Sequence, residues 1–114
     1  MKIRKKTTTD KEDPKVIFRR SKAWKTFREK LRKKQKKDYV TGTPLSKTCN
    51  LHHGDLRPEN YTDISDESKF ICLNQATHEC LHRIYGDGKN RYDWRARIKK
   101  LTELCEWMDE INDE

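Results

Sequence analysis

No run of apolar residues in this 114-residue chain approaches the roughly 18 needed to cross a bilayer, and its opening stretch MKIRKKTTTD lacks the apolar centre of a secretion signal. These absences set the expectation of a cytoplasmic protein with no membrane partner. Cysteines are present at 49, 72, 80 and 105, but no C-x-x-C spacing joins any of them. That spacing disfavours a zinc site built from the four, and without a secretory context free thiols are expected rather than disulfides. Apolar residues are scarce too, at 32% against 40% charged, so the chain builds one domain at most, with a small core. A bound metal readily helps such a core. No internal repeat is visible.

What is abundant is charge, and it is unevenly placed. Residues 1–37 hold 17 Lys or Arg against 4 acids, whereas residues 101–114 hold 6 acids and no base. A basic third of this density attracts polyanions, because each phosphate contact releases counterions. Charge runs are more often solvated faces than binding sites. Here the run shares a helical stretch with aromatics, which points toward nucleic acid.

Periodicity and turn residues divide the chain into an arm and a series of short elements. Residues 1–20 read as a basic, flexible arm, and the rest as one domain over 21–114. In SKAWKTFREKLRKKQKK, Ser21 is placed to cap a helix whose Ala23, Trp24, Phe27 and Leu31 share a stripe. That stripe should pack inward, leaving Lys and Arg outward. DYVTGTPLS reads as a strand and turn, KTCNLHH as a second strand, GDLRPENYTDISDES as a loop, and KFICL as a short strand. Asn74 can then cap a helix, NQATHECLHRIY, that stops at Gly86. After GDGKN, Trp94, Ile98, Leu101, Cys105 and Met108 recur at helical spacing, predicting an amphipathic C-terminal helix over 91–112.

Within the Asn74 helix lies HECLH, a literal match to the H-E-x-x-H pattern of zinc proteases. On a helix, residues four apart share a face, so His78 and His82 can turn both imidazoles to one ion. Read blandly, they are two polar residues on an exposed face. Against that, the chain has only four histidines, and the other two, His52 and His53, are adjacent at the end of the preceding strand. If that strand lies against the helix, three imidazoles converge with a fourth beside them.

A protease needs Glu79 as base and a third zinc ligand further along the chain. The extended pattern fails, because Tyr85 stands where its glycine belongs and Gly88 where its last histidine belongs. Glu103 is available as a distant carboxylate ligand, but this reading leaves His52 and His53 unexplained.

The order strand, HH, loop, short strand, helix with H-x-x-x-H explains all four. The segments VTGTPL, NLHHGDLRPENY, KFICLN and THECLH together resemble the small HNH endonucleases encoded by tailed phages, over roughly residues 38–85. The resemblance implies a ββα-metal centre over 38–86; with the N-terminal basic helix and the C-terminal amphipathic helix that periodicity predicts on either side, the expected fold is α+β. It further implies that His52, His78 and His82 ligate one divalent ion and that His53 is the general base. Three histidines favour Zn²⁺ or Ni²⁺ for tight binding, while turnover can use Mg²⁺ or Mn²⁺. The expected partner is DNA, gripped along its backbone by Arg19, Arg20, Lys22, Lys25, Arg28, Arg32 and Lys33, with other phage or host proteins as further partners.

One position departs from the family's pattern. Its central Asn, nine residues before the first helical histidine, is Lys69 here. In the family that Asn is thought to hold the loop and orient the base. Its loss implies weakened cleavage unless Ser68 or Asn60 substitutes; alternatively, Lys69 contacts a phosphate. The competing expectation is therefore a catalytically weakened module that binds DNA or a host protein.

Overall fold

The computed structural model describes residues 13–113. Among them lie helices α1 (Pro14–Arg19) and α2 (Lys22–Gln35), strands β1 (Asn50–His53) and β2 (Phe70–Leu73), and helices α3 (Gln75–Tyr85) and α4 (Trp94–Asn112). The strands pair antiparallel in one two-stranded sheet, so the chain is a small α+β protein.

The arm expected over residues 1–20 is partly helical, and residues 1–12 lie outside the described residues. Asp13 caps α1 by accepting from the Lys15 amide at 2.8 Å, and Pro14 suits its first turn. Phe18 then packs on Trp24, with ring centroids 5.2 Å apart, which fixes the short helix to the domain. Ser21 caps α2 as its sequence position suggests: its hydroxyl accepts from the Trp24 amide and donates to the Phe18 carbonyl. Trp24, Phe27 and Leu31 are buried, but Ala23 lies on the exposed side of the stripe and contributes nothing to the core.

DYVTGTPLS forms no strand. Residues 38–41 turn tightly around Asp38, which is only 1% exposed and accepts from the amides of Val40, Thr41 and Asn74. Lys37 and Pro44 meet in a single bridge where the strand was expected. The buried carboxylate outcompetes a ladder by satisfying three backbone donors locally. Burial alone would raise its pKa; the Thr41 and Asn74 amides, the Thr77 hydroxyl and the Val40 amide outweigh that and hold it at about 2.

The second expected strand begins later than its sequence suggests, at Asn50, with Thr48 and Cys49 outside it. Its register pairs Asn50 with Leu73, Leu51 with Cys72, His52 with Ile71 and His53 with Phe70. Strand alternation therefore sends Leu51, His53, Phe70 and Cys72 to one face of the sheet and Asn50 and His52 to the other. The first face packs on α2, where Trp24, Phe27, Leu31, Leu45, Cys49, Leu51 and Cys72 form the core. Gln35 closes that contact by donating to the Cys72 carbonyl at 2.7 Å and accepting from its amide at 2.8 Å.

The opposite face receives α3. Asn74 sits at its N-cap position without capping it: its side chain instead accepts from the Ser46 amide and donates to the Pro44 carbonyl, tying the helix to the preceding loop. Gly86 ends α3 at φ +97°, and a Cβ there would fall 1.9 Å from the Asn90 carbonyl oxygen, so only glycine fits. Beyond it, α4 touches α3 near its start and buries none of its side chains. Its apolar stripe of Trp94, Ile98, Leu101, Cys105 and Met108 is exposed, and the radius of gyration is 18.3 Å, against roughly 13 Å for a compact chain of about 100 residues.

Candidate metal centre and cleft

The metal-binding atoms of His52, His78 and His82 all lie within 4.8 Å of one another. Two elements bring them there. β1 presents His52 on the face that α3 covers, and helical spacing stacks His78 and His82 on the turn facing it. The two helical Nε2 atoms stand 3.1 Å apart, and the His52 ring centroid lies 5.2 and 5.1 Å from the other two. Nitrogen ligands bound at about 2.0–2.1 Å to one ion lie roughly 3–3.4 Å from each other, so the helical pair already has that separation.

Whether an imidazole can ligate depends on its other nitrogen. The Nδ1 of His82 donates to the Gly86 carbonyl at 3.0 Å, which leaves the Nε2 lone pair for an ion. His78 Nδ1 lies 2.9 Å from the Asn50 side-chain amide. With that amide rotated by a half-turn, Nδ1 donates to its oxygen and Nε2 is again the free acceptor. Burial, and then the neighbouring His78 and His82, lower the His52 pKa to about 4, keeping it neutral as a ligand must be. The donor set of three imidazoles fits a borderline divalent ion.

His53 faces the other way and is held differently. Its ring stacks between Tyr61 and Trp24, with centroids 4.4 and 5.4 Å away and both planes tilted by 13°. Its Nε2 donates to the Tyr61 carbonyl at 2.9 Å, so Nδ1 carries the lone pair. Burial lowers its pKa, which keeps the ring unprotonated near neutrality. Despite the alternation, His53 lines the same cleft of about 720 Å³ as His52, His78 and His82, because the sheet ends there.

The loop after β1 is fixed by Asp55. Its carboxylate takes two bonds from the Arg57 guanidinium, one from the Arg57 amide and one from the Asn60 amide group. The Arg57 side chain foremost, then its amide and Asn60, hold the Asp55 carboxyl well below the usual range. Lys69 lies behind His53 rather than in the cleft: its Nζ is 4.0 Å from Asp55, and its carbonyl accepts from the Gly54 amide at 2.7 Å. Of the two residues considered as substitutes for the motif Asn, Asn60 joins this cluster, whereas Ser68 turns away to Asp66.

Cations line the cleft, but only partly those expected. Arg19 and Arg28 are there. Arg20, Lys22, Lys25, Arg32 and Lys33 are not; Arg32 and Lys33 pair with Glu29 along α2, whose far side points away from the histidines. Lys15, Arg57 and Lys89 take their place. Lys15 belongs to the basic run, but nothing local in the sequence distinguishes Arg57 or Lys89, because the chain folds them in from separate loops.

Glu79, the base a protease would need, is exposed and bonded to Gln75, and Glu103 pairs with Lys100 on α4. Neither joins the histidine cluster. Comparisons with protein-family models, curated proteins and solved structures find no match.

Proposed function

We propose that this chain is a metal-dependent endonuclease of the HNH kind, hydrolysing DNA phosphodiesters, with β1, β2 and α3 as its ββα-metal centre. One observation carries the reading: a three-histidine cluster and a fourth histidine with a free Nδ1 share one cation-lined cleft. An ion held by His52, His78 and His82 would stabilise charge on the scissile phosphate and the leaving oxygen. His53 Nδ1 takes a proton from the attacking water, and Trp24 and Tyr61 hold its ring in plane. Lys15, Arg19, Arg28, Arg57 and Lys89 hold phosphates on either side. Such contacts carry no base code, so the expected cleavage has little sequence preference. Asp55 and Asn60 fix the loop that follows His53, the task assigned in the family to the Asn that Lys69 replaces.

The second reading, a weakened module that binds DNA or a host protein, draws on that replacement. A supercoiled-plasmid nicking assay separates the two. The nuclease reading requires nicking in the presence of Mg²⁺, Mn²⁺, Ni²⁺ or Zn²⁺ and its loss on chelation. DNA binding without nicking under every one of those ions would leave the binding module.

A further inference from the structure

Helix α4 has an apolar face that the described residues leave bare. Leu101, Leu104, Trp107, Met108 and Ile111 are 40 to 56% exposed, and the helix buries no side chain at all. Its charges are segregated along its length. Residues 91–100 carry Arg91, Arg95, Arg97, Lys99 and Lys100 against a single acid, whereas residues 101–113 carry five acids and no base. The basic half lies beside α3, where Ile84, Leu101 and Leu104 floor an open groove rimmed by Arg83, Arg97 and Lys100. The acidic half, residues 101–113, is exposed throughout. Each end of the helix is thus the complement of the other, in charge and in apolar surface.

We propose that α4 pairs antiparallel with α4 of a second copy of this chain. The acidic, apolar half of each copy lies along the basic groove of the other. A two-fold axis makes this contact self-complementary and closed. Heptad spacing along Trp94, Ile98, Leu101, Cys105 and Met108 then sets Ile98 opposite Met108 of the second copy and Leu101 opposite its Cys105. Arg95 and Asp109 fall on the same edge of the seam and meet across it. A parallel pair would instead bring each run of cations against its own duplicate, so charge selects the antiparallel one. The pairing does not depend on the nuclease reading, since no histidine of the cleft takes part.

Sedimentation equilibrium of the full chain over a range of concentrations tests this at low ionic strength. The expected result is a reversible shift to twice the monomer mass. Changing Glu103, Glu106, Asp109 and Glu110 together to Lys should weaken the dimer by about a hundredfold, since several attractions become repulsions. Mixing that variant with one carrying Arg95→Glu, Arg97→Glu, Lys99→Glu and Lys100→Glu should restore a dimer. Leu101→Cys should cross-link to Cys105 of the second copy under mild oxidation, and adding Cys105→Ser should abolish the cross-link. Because α4 buries no side chain, a thermal unfolding transition as cooperative as that of the native chain certifies that the variants are folded. A chain that stays monomeric throughout overturns the proposal and leaves the face to a different partner. So does a dimer indifferent to the charge reversals, or a cross-link that survives Cys105→Ser.

Discussion

Two tryptophans of this chain stand in opposite circumstances. Trp24 is 5% exposed, stacked on His53 and packed against Phe27 and Phe70, while Trp107 is 56% exposed on a helix that buries none of its side chains. Both belong to stripes of apolar residues at helical spacing. A stripe fixes which face of a helix is apolar; it does not say what covers that face. In the first case the sheet does, and the histidines of the cleft are positioned by that contact. In the second, nothing among the described residues does.

The sharpest way to probe this contrast is to truncate the buried member. Trp24→Ala should cost about 4 kcal/mol, because it empties the centre of a small core and removes the wall on which His53 rests. Urea unfolding measures it. Loss of only a few tenths of a kcal/mol would mean that α2 is not the cover of the sheet.

Asp38 holds the other end of the same half. Asp38→Ala leaves the Val40, Thr41 and Asn74 amides without an acceptor, at a cost of about 3 kcal/mol. The same residue makes the fold sensitive to acid. Its native pKa of about 2 lies below the roughly 3.9 of an unfolded Asp, so the unfolded chain takes up the proton first as pH falls. Its contribution is therefore complete above about pH 4 and disappears toward pH 2. Unfolding curves collected across that window should fall steeply for the native chain and less so for Asp38→Asn.

Metal should strengthen the cleft half further. A free ion at a hundred times its dissociation constant stabilises the folded chain by about 2.7 kcal/mol, so melting should rise with Zn²⁺ or Ni²⁺. His78→Ala and His82→Ala should each blunt that rise. Equal shifts in all three proteins would place the ion elsewhere.

A smaller effect is expected from the loop. Asn60→Ala removes one of the groups that hold Asp55, and should slow plasmid nicking about tenfold, equivalent to about 1.4 kcal/mol, with the metal-induced shift unchanged. No change in rate would show that Arg57 suffices to hold the loop. Smallest of all, Trp107→Ala measured on the monomer should alter stability by less than about 0.5 kcal/mol. A loss comparable to that of Trp24→Ala would show that α4 is covered by its own chain.

Much of the cleft half was legible because its signals are local and periodic. The Ser21 cap, the Trp24–Phe27–Leu31 stripe, the FICL strand and the stop at Gly86 each rest on a few neighbouring residues. Alternation along β1 separates His52 from His53, and helical spacing aligns His78 with His82. The turn around Asp38 was not legible, since a buried carboxylate reads as an ordinary loop residue until the donors that surround it are known. Nor was the Asp55–Arg57–Asn60 cluster, whose members look like solvated polar residues in sequence. The cations of the cleft were only half legible, because the density of the basic run says how strong a field is but not which side chains the fold turns inward.

The central claim is that His52, His78 and His82 hold an ion while His53 acts beside it without holding it. Nicking of supercoiled plasmid by His53→Ala, under ions at which its melting shift equals that of the native chain, tests this most directly. The account predicts that the variant binds the ion and does not nick. Nicking at the native rate would contradict it.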